Sequence, residues 1–411
     1  MTPAADLLTP AGSQLLDRLR GLDVTPELAM RLAEELRGHY PADLIAAALT
    51  QQSLRTAARE KFSRADEMFF TRAGLEMASP ELVARHSARR FAGLAPVADL
   101  CCGIGGDLTA LAEVARRLIA VDTDADALRF ARQNVAAVSA GAAGAAGFTG
   151  AEVEYVCADV VHLPPELLAG AAAVFIDPAR RAGGHRLRAG DSQPPLDWCI
   201  GLAGQVPLVC IKFAPGIAHE LVPAGWELEF VAVGRALKEA LLWSPAFATT
   251  QRRATVLPGG DTLVTTEGPA VPVTEPGGYL LDPSPAVTRA GLVQELARDL
   301  GAWQIDPMIA FLSVDEQVST PFARTMRILA SMPWHEKQAA RKLRALGVGS
   351  ADIRRRGLAG DVEQIRRRLG LQGDRSATIV LTRREGRPWG LICEEVAAPG
   401  QDQATGPGDL R

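Results

Sequence analysis

Membrane-spanning segments are the first feature that this sequence of 411 residues lacks. Gly, Pro or a charged residue interrupts each apolar run well before the roughly 18 residues that a transmembrane helix needs, so we expect no membrane span. The opening MTPAADLLTP has no basic stretch followed by an apolar one. It therefore predicts that no secretory signal is present and that the protein is cytoplasmic.

Metal-binding and disulfide patterns are also missing. The six cysteines include no CxxC pair, and the six histidines form no HExxH motif or Cys/His cluster. This spacing argues against a structural zinc site and favours reduced thiols, several of them in apolar runs. Apolar residues make up 47% of the chain and charged residues 22%, which excludes a disordered protein and suits about two or three domains.

Lysine is scarce as well, since only 5 of the 44 basic residues are lysines. The net charge of -4 hides an uneven distribution. Residues 324–387 contain 16 Lys and Arg against 6 Asp and Glu, a local balance of +10, so the rest of the chain carries -14. Such asymmetry between segments indicates a charged partner. Because the guanidinium group is a forked donor suited to phosphate, nucleic acid is the partner class that it favours.

The first 90 residues are predicted to be helical. Apolar positions recur at a spacing of three to four, and Pro26 and Pro41 stand where helix N-termini are expected. A further helical pattern follows, with Ser79 as its expected N-cap and Pro80 at its first helical position.

From Val97 onward, short apolar runs alternate with helical segments. This alternation is typical of right-handed βαβ units and predicts an α/β fold with a Rossmann-like, seven-stranded, doubly wound sheet. The predicted strands are 97–101, 117–122, 153–159, 172–177, 208–213, 228–234 and 253–258.

Composition divides the rest of the chain. The Gly/Ala-rich segment 139–152 is predicted to be a flexible surface insertion, and Pro and Gly accumulate at 267–278 as in an interdomain linker. Beyond the linker, three helical patterns and a hairpin turning near Glu385-Gly386 predict an α+β domain. The expected domains are a helical region at 1–90, a sheet domain at 91–268, an α+β domain at 269–397 and a disordered tail at 398–411.

A glycine-rich turn is the strongest motif. In VADLCCGIGGD the first predicted strand runs into Gly103, Gly105 and Gly106, where the lack of a side chain lets a ligand approach the backbone. Leu108 stands where the dinucleotide fingerprint requires its third glycine. The motif therefore argues against a nicotinamide cofactor.

Carboxylates surround this turn. Asp99 and Asp107 bracket it, and Asp122 ends the second predicted strand, where it can accept hydrogen bonds from ribose hydroxyls. Two acids at the turn suit a ligand with an amine and a positive charge better than a pyrophosphate. S-adenosylmethionine carries a sulfonium, a free amino group and a ribose, and it lacks phosphate. The charge pattern favours it as the cofactor, bound in part by these three carboxylates.

DLCCGIGGD and AVDTDADAL resemble the first motif and the acidic second-strand end of class I S-adenosylmethionine-dependent methyltransferases. The resemblance implies that Gly103 and Gly105 approach the methionine part of the cofactor. It also implies that Asp99 supports the amino end and that Asp122 holds the ribose.

The third and fourth strand ends extend the resemblance. CAD at 157–159 is similar to the third-strand motif, which implies that Asp159 meets the adenine amino group. FIDPARR stands where this class places the methyl acceptor. Asp177 would orient or deprotonate the acceptor, the Pro178 carbonyl would accept a hydrogen bond, and Arg180 would contact phosphate.

The sequence departs from the family after Pro178. Amine-methylating members often carry Pro-Pro-aromatic here, and the aromatic ring stacks on the base. Ala179 and Arg180 occupy these places in this chain. A base acceptor would therefore need Phe213, Trp243 or Arg180 as its stacking surface.

Two closer resemblances lie within the class. CCGIGGD after SPELVARHSARRF is similar to the trimethylguanosine synthase branch, and FTRAGLEMAS, IDPARR, IKFAPG and YLLDPSPAVTRAGLV resemble bacterial methyltransferases that end in a THUMP-like domain. The expected function is methylation of a structured RNA, either tRNA or rRNA. The arginines expected to contact RNA are Arg354, Arg355, Arg356, Arg366, Arg367 and Arg368.

Two alternatives stay open on the sequence. The enzyme could methylate a small molecule or a protein, with the C-terminal domain in a structural role. The chain could also be a non-catalytic RNA-binding protein on a methyltransferase fold. For the RNA methyltransferase, the N-terminal helices are expected to cap the cofactor cleft, with Phe70, Thr71 and Glu76 near its mouth.

Overall fold

The computed structural model describes residues 3–142, 150–179, 181–182, 185–186, 192–358 and 361–396. Half of the predicted surface insertion at 139–152, namely 143–149, lies outside the described residues, as do the predicted catalytic residue Arg180 and the predicted tail (398–411). The chain forms two compact units. The first comprises Met1–Val231 and Lys238–Gln251, and the second comprises Ala232–Leu237 and Arg252–Arg411.

Helices open the first unit, as the apolar spacing predicts. Thr25 caps one of them by accepting a hydrogen bond from the Leu28 N–H, and Pro26 takes its first helical position. The prediction that Ser79 is an N-cap is wrong, because Pro80 precedes that helix and the Ser79 hydroxyl donates to Glu239 instead. The helices are α1 (Pro3–Leu7), α2 (Pro10–Leu19), α3 (Pro26–Leu36), α4 (Ala42–Ala58), α5 (Arg72–Met77) and α6 (Glu81–Ala88).

A twisted sheet follows in the same unit. Its elements are β1 (Val97–Leu100), α7 (Gly106–Val114), β2 (Arg117–Asp122), α8 (Ala125–Ala142), β3 (Glu152–Cys157), α9 (Pro165–Ala169), β4 (Ala173–Ile176), β5 (Arg181–Ala182), β6 (His185–Arg186), α10 (Leu196–Gly201), β7 (Leu208–Phe213), β8 (Glu227–Val233) and β9 (Ala236–Trp243). Strands β5 and β6 form a separate two-stranded sheet.

Seven strands of a nine-stranded sheet lie in the order β3-β2-β1-β4-β7-β9-β8, which is that of a Rossmann-like, doubly wound sheet, so the predicted number of seven strands is too low. Strands β3, β2, β1, β4 and β7 are parallel, and β9 runs antiparallel to β7. Every residue of β1 and β4 is buried, as expected when both faces of a sheet are covered. The predicted fold class is confirmed. The prediction missed β9, in which Lys238 and Glu239 interrupt the apolar pattern.

The N-terminal helices share a core with this sheet domain. Leu15, Leu49 and Phe70 belong to one buried cluster together with Ile104 of the glycine turn and Phe130 of α8. Since burial of each such side chain contributes about 1.5–3 kcal/mol, this contact stabilises the helices and the turn together.

The second unit contains the segment 269–397 that is predicted to be an α+β domain, and it also contains residues 252–268, which the prediction placed in the sheet domain. Its elements are β10 (Arg252–Leu257), β11 (Asp261–Val264), β12 (Tyr279–Pro283), α11 (Pro285–Ala290), α12 (Val293–Leu300), β13 (Trp303–Gln304), β14 (Leu312–Val314), β15 (Ala323–Pro333), α13 (Glu336–Ala345), β16 (Val348–Arg355), α14 (Val362–Leu369), β17 (Arg375–Arg384) and β18 (Arg387–Glu395).

A seven-stranded sheet with the order β13-β14-β12-β15-β18-β17-β16 organises this unit. Strands β17 and β18 form the predicted hairpin, whose turn at Glu385 and Gly386 has φ values of 51° and 73°. Helices α13 and α14 bury Leu343 and Leu369 in one apolar cluster with β17. None of the helices in the described ranges is long and apolar enough to cross a membrane.

Candidate active site

The glycine turn joins β1 to α7 through three residues with positive φ. Cys101, Gly103 and Gly105 have φ values of 62°, 53° and 83°, a region that favours glycine at the last two. A Cβ added to Gly105 would lie 3.1 Å from the Ala131 Cβ, so this glycine permits close packing on α8. A Cβ added to Gly103 would meet no atom within 4 Å. The backbone at Gly103 therefore faces open space.

Asp122 holds the turn at the end of β2. Its Oδ2 accepts a hydrogen bond of 2.8 Å from the Gly103 N–H, and its Oδ1 accepts one of 2.9 Å from the Asp124 N–H. Each carboxylate oxygen has a further lone pair, so Asp122 can still accept from the hydroxyls of a ribose. The structure thus places two predicted site residues in direct contact.

Asp99 lies in β1 beside this turn and is fully buried. No residue in the described chain donates a hydrogen bond to either of its carboxylate oxygens. Burial raises the pKa of Asp99 well above its usual range, and the nearby Asp107 carboxylate raises it further. An unsatisfied buried carboxyl is costly unless a donor arrives to pair with it, and an ammonium group is such a donor.

Asp159 follows β3 and is the most exposed of the predicted cofactor residues, with 51% of its side chain accessible. Its Oδ1 accepts from the Val161 N–H, which lowers the pKa of the carboxyl, and its Oδ2 lies 3.1 Å from His162 Nδ1. The neighbouring Ala158 N–H donates to the Asp122 carbonyl, so the ends of β2 and β3 stay together. The N-cap role does not exclude a ligand role.

The sequence interpretation missed a lysine that contacts both Asp107, beside the glycine turn, and Asp177, after β4. Lys212 in β7 has 3% of its side chain exposed, and its Nζ lies 2.7 Å from Asp107 Oδ2 and 2.5 Å from Asp177 Oδ2. Burial alone would lower the pKa of Lys212, but Asp107 and Asp177 outweigh it and the pKa is raised. The lysine is therefore a cation, and it forms an ion pair with each of the two carboxylates.

A fourth buried carboxyl faces the same lysine from β9. The hydroxyls of Ser79 and Ser87 donate to Glu239 at 3.2 Å and 3.1 Å. Burial raises the pKa of Glu239 to about 7, although the attraction of Lys212 lowers it. The edge of the sheet that holds the glycine turn thus carries a dense group of acids around one cation.

These residues fit S-adenosylmethionine. Asp99 is an unpaired buried acceptor for the amino group, Gly103 leaves room for the methionine part, and Asp122 has lone pairs for the ribose. When bound, the cofactor supplies an electrophilic methyl group on a positively charged sulfur, a charge that the surrounding acids favour. Among the described residues, no group of three or more His, Cys, Asp and Glu could hold a metal ion.

The N-terminal helices contact the turn directly. The Asn134 side chain accepts from the Phe69 N–H at 2.7 Å and donates to the carbonyls of Phe69 and Ile104 at 3.0 Å and 2.8 Å. Gly74 in α5 lies against Ile104, where an added Cβ would come within 2.7 Å. Of the residues expected near the cleft mouth, Phe70 is buried in the core, Thr71 caps α5, and Glu76 is exposed.

The expected stacking surfaces are not available. Trp243 is fully buried, and its Nε1 donates to Glu229 at 2.9 Å. Phe213 is 5% exposed. Both rings are part of the core, so the expectation that either one stacks on a base is wrong.

The arginines at 354 and 356 have partners within the second unit. The buried Asp282 carboxylate accepts from Arg354 Nη1 at 3.0 Å, from Arg356 Nη2 at 2.8 Å and from Arg235 Nη2 at 2.6 Å. The Arg356 guanidinium also lies 5.0 Å from the centre of the Phe311 ring. These two arginines therefore stabilise the unit, whereas the sequence predicted only that they contact RNA phosphate.

The second group of arginines is more accessible. Arg366, Arg367 and Arg368 are all exposed on α14. Arg366 pairs with Glu363 and Arg368 with Glu336, contacts that are weak at an exposed surface.

The sheet order, the glycine turn and the acids at the strand ends together define the class I fold and site of S-adenosylmethionine-dependent methyltransferases. The chain is 37% identical over 323 residues to uncharacterized S-adenosylmethionine-dependent methyltransferases of Mycobacterium tuberculosis strains CDC 1551 and H37Rv, covering 77% of this chain and 85% of each relative. It belongs to this family of S-adenosylmethionine-dependent methyltransferases.

Two segments of the chain match family models, and a solved structure shares its fold. Residues 323–395 match the THUMP domain-like family, and residues 2–58 match a domain of unknown function, DUF8688. A crystal structure assigned as a methyltransferase from Porphyromonas gingivalis W83 has the same fold, with a TM-score of 0.71 and 19% identity over 92% of this chain and 100% of that one. The protein is therefore an enzyme with S-adenosylmethionine as its cofactor and a THUMP-like C-terminal domain.

The two glycines of the turn provide a matched test of the cofactor site. Both replacements by alanine share a backbone cost of about 1–2 kcal/mol for positive φ. Gly105→Ala is expected to lower the free energy of unfolding by about 1–3 kcal/mol more, because its Cβ meets Ala131. Gly103→Ala is expected to weaken cofactor binding by roughly 5- to 150-fold, because its Cβ fills the space for the ligand.

Chemical denaturation and calorimetric titration with S-adenosylhomocysteine measure these two effects. If Gly103→Ala binds the ligand as tightly as the unaltered protein, the open space beside Gly103 is not the cofactor position.

Proposed function

We propose that the methyl acceptor is a nucleotide of a structured RNA, tRNA or rRNA, and that the second unit binds the RNA backbone. One observation carries this proposal: a set of basic residues on α13 and α14, called the basic face below. Its members are exposed and belong to the region that matches the THUMP domain-like family. They are Lys337, Arg341, Lys342, Arg344, Arg366, Arg367 and Arg368.

Packing fixes the orientation of the basic face. Ala340 and Leu343 of α13 and Ile365 and Leu369 of α14 are buried in one apolar cluster against the sheet. The charged residues are therefore turned to solvent. In the described chain, Lys337, Lys342 and Arg367 make no ion pair, so their charge is available to phosphate.

At the active site, Asp177 is better suited to orient an acceptor than to deprotonate it. Its Oδ2 is already paired with the Lys212 ammonium at 2.5 Å, so this oxygen is engaged by a cation. A carboxylate oxygen has lone pairs left for a hydrogen bond from an acceptor N–H or O–H. Pro178 directly follows, and its carbonyl is a second candidate acceptor for that hydrogen bond. Methyl transfer then depends mainly on alignment of the acceptor with the methyl group.

The thiols of the turn do not provide a nucleophile. Burial raises the pKa of Cys101, and the nearby Asp122 and Asp177 raise it further; burial also raises the pKa of Cys102. Both thiols therefore stay protonated, and a protonated thiol is a poor nucleophile. This favours direct transfer to a nitrogen or oxygen of the acceptor over a route through a cysteine adduct at the turn.

RNA binding is expected to be strongly salt-dependent and to require the basic face. The triple variant Lys337→Ala/Arg341→Ala/Arg367→Ala should reduce the slope of log K against log salt by about 2–3, since each lost phosphate contact removes about 0.7–0.9. The measurement is filter binding of bulk tRNA and rRNA at a low and a moderate salt concentration.

The matched control is Arg31→Ala/Arg37→Ala/Arg72→Ala, which removes the same charge from exposed positions of the first unit. If the two triple variants lose affinity equally, net charge rather than the basic face is responsible. If the unaltered protein binds neither RNA at either salt concentration, the RNA proposal fails.

The acceptor itself is identified by incubating the purified protein with labelled cofactor and total RNA from a deletion strain, followed by nucleoside analysis. A labelled nucleoside supports the proposal if it also appears with the control variant Arg31→Ala/Arg37→Ala/Arg72→Ala. Label that enters only protein or small molecules contradicts it.

A further inference from the structure

The buried ion pairs of Lys212 join parts of the site that belong to different reactants. Asp107 lies in the first turn of α7, next to the cofactor turn, whereas Asp177 follows β4 at the proposed acceptor position. Asp107 has 12% and Asp177 has 26% of its side chain exposed, so the ammonium between them is shielded from water. In the described residues this one side chain hydrogen-bonds to both halves.

We propose that Lys212 is a positioning residue that couples the cofactor turn to the acceptor site. Its ammonium sets the orientation of the Asp107 and Asp177 carboxylates relative to one another, so a change at one carboxylate is transmitted to the other. The part of this inference that concerns the acceptor rests on the proposed role of Asp177. The part that concerns the cofactor can be tested without RNA.

The surrounding charges leave the lysine little freedom. Beyond its two partners, the ammonium faces Glu239 from β9 and Asp99 from β1, and the Lys61 ammonium is near enough to be repelled by it. If one partner carboxylate is removed, the buried ammonium shifts towards the acids that remain, because an unpaired buried cation is unfavourable. The other partner carboxylate then loses its fixed position.

The experiment is a double-variant cycle on cofactor affinity. Calorimetric titration with S-adenosylhomocysteine at about pH 8 compares the unaltered protein with Asp107→Asn, Asp177→Asn and the double variant. We expect Asp177→Asn to weaken binding at least about fivefold, although Asp177 lies on the acceptor side. The double variant should then be at least about fivefold tighter than the product of the two single effects predicts, because the single variants share one lysine.

Glu239→Gln is the matched control. At about pH 8 Glu239 is above its pKa of about 7, so the variant removes one negative charge from the same group and leaves both hydrogen bonds of Lys212 in place. Its affinity for S-adenosylhomocysteine should change less than about twofold. If Glu239→Gln and Asp177→Asn weaken binding equally, overall charge explains the effect and the proposal is overturned.

Substitution of the lysine completes the test. Lys212→Met should abolish the dependence of cofactor affinity on Asp177, and Lys212→Arg should restore it in part. Lys212→Met leaves buried carboxylates unpaired and can prevent folding. If its melting transition is lost, the outcome is decided by the arginine variant and the double-variant cycle. If the affinity of the Asp107→Asn/Asp177→Asn double variant agrees within about twofold with the product of the two single effects, the coupling is refuted. These titrations contain no RNA, so their failure is separate from a failure of the RNA proposal.

Discussion

Replacement of Asp99 by Asn is expected to weaken the binding of S-adenosylmethionine by roughly 30- to 5,000-fold. Asp99 is buried, and no described residue hydrogen-bonds to its oxygens, so we assign it to the amino group of the cofactor. Loss of one partner of a buried charged pair costs about 2–5 kcal/mol, which corresponds to this range of affinity.

The pH dependence of binding should change in the same variant. Burial raises the pKa of Asp99, so the ligand-free protein holds a proton there at pH values where an ordinary Asp is ionised. Binding of an ammonium group requires the carboxylate, so affinity should rise with pH until Asp99 ionises in the ligand-free protein, and binding below that pH should release a proton. Calorimetry in two buffers of different ionisation enthalpy measures the proton release, which Asp99→Asn should abolish.

Stability separates this effect from misfolding. A raised pKa of an acid gives stability that is present at low pH and is lost as the pH rises through the folded-state pKa. Asp99→Asn removes that loss, so its melting temperature near neutral pH should be at least that of the unaltered protein. Asp197→Asn, at an exposed position, is the control for binding. Equal affinities of Asp99→Asn and Asp197→Asn would remove Asp99 from the cofactor site.

The second large effect is expected in the second unit. Asp282→Ala should destabilise this unit by about 3–5 kcal/mol, because it leaves Arg235, Arg354 and Arg356 around an empty buried position. Hydrogen exchange of β12, β15 and β16 measures the loss as faster exchange in these strands. Urea unfolding of the full chain gives the corresponding free energy.

Asp352→Ala provides a matched control. Asp352 also pairs with Arg354, but 55% of its side chain is exposed, so its removal should cost less than about 1 kcal/mol. If the two variants exchange at the same rate, Asp282 does not organise the unit. Because Arg354 and Arg356 both pair with Asp282, their substitution by alanine would change the stability of the unit together with any RNA binding.

Much of the cofactor site could be predicted because its signals are local. The carboxyl ends of parallel strands meet at one sheet edge, so Asp99, Asp122 and Asp177 were expected together, and the glycines between β1 and α7 marked the turn. The class, the cofactor and the fold follow from these few residues. The variants described above test whether these residues contact the cofactor.

The parts that sequence reasoning missed depend on distant pairs. Lys212 stands in the apolar run LVCIKF, and its partner Asp107 is 105 residues away. A single lysine within a predicted buried strand is the one local signal, since a buried ammonium requires acids. Likewise, a count of basic residues cannot show that Arg354 and Arg356 are bound to Asp282, which is 72 and 74 residues away.

The side chain of Asn134 has a consequence for how ligands exchange. One carboxamide both accepts from and donates to Phe69, in the segment between α4 and α5, and it also donates to the Ile104 carbonyl of the turn. Moving the N-terminal helices away would break the two hydrogen bonds to Phe69, at a cost of about 1–3 kcal/mol for each polar group left unsatisfied. We therefore expect the nucleoside to enter and leave along the exposed side at Asp159, a route that keeps both of these hydrogen bonds intact.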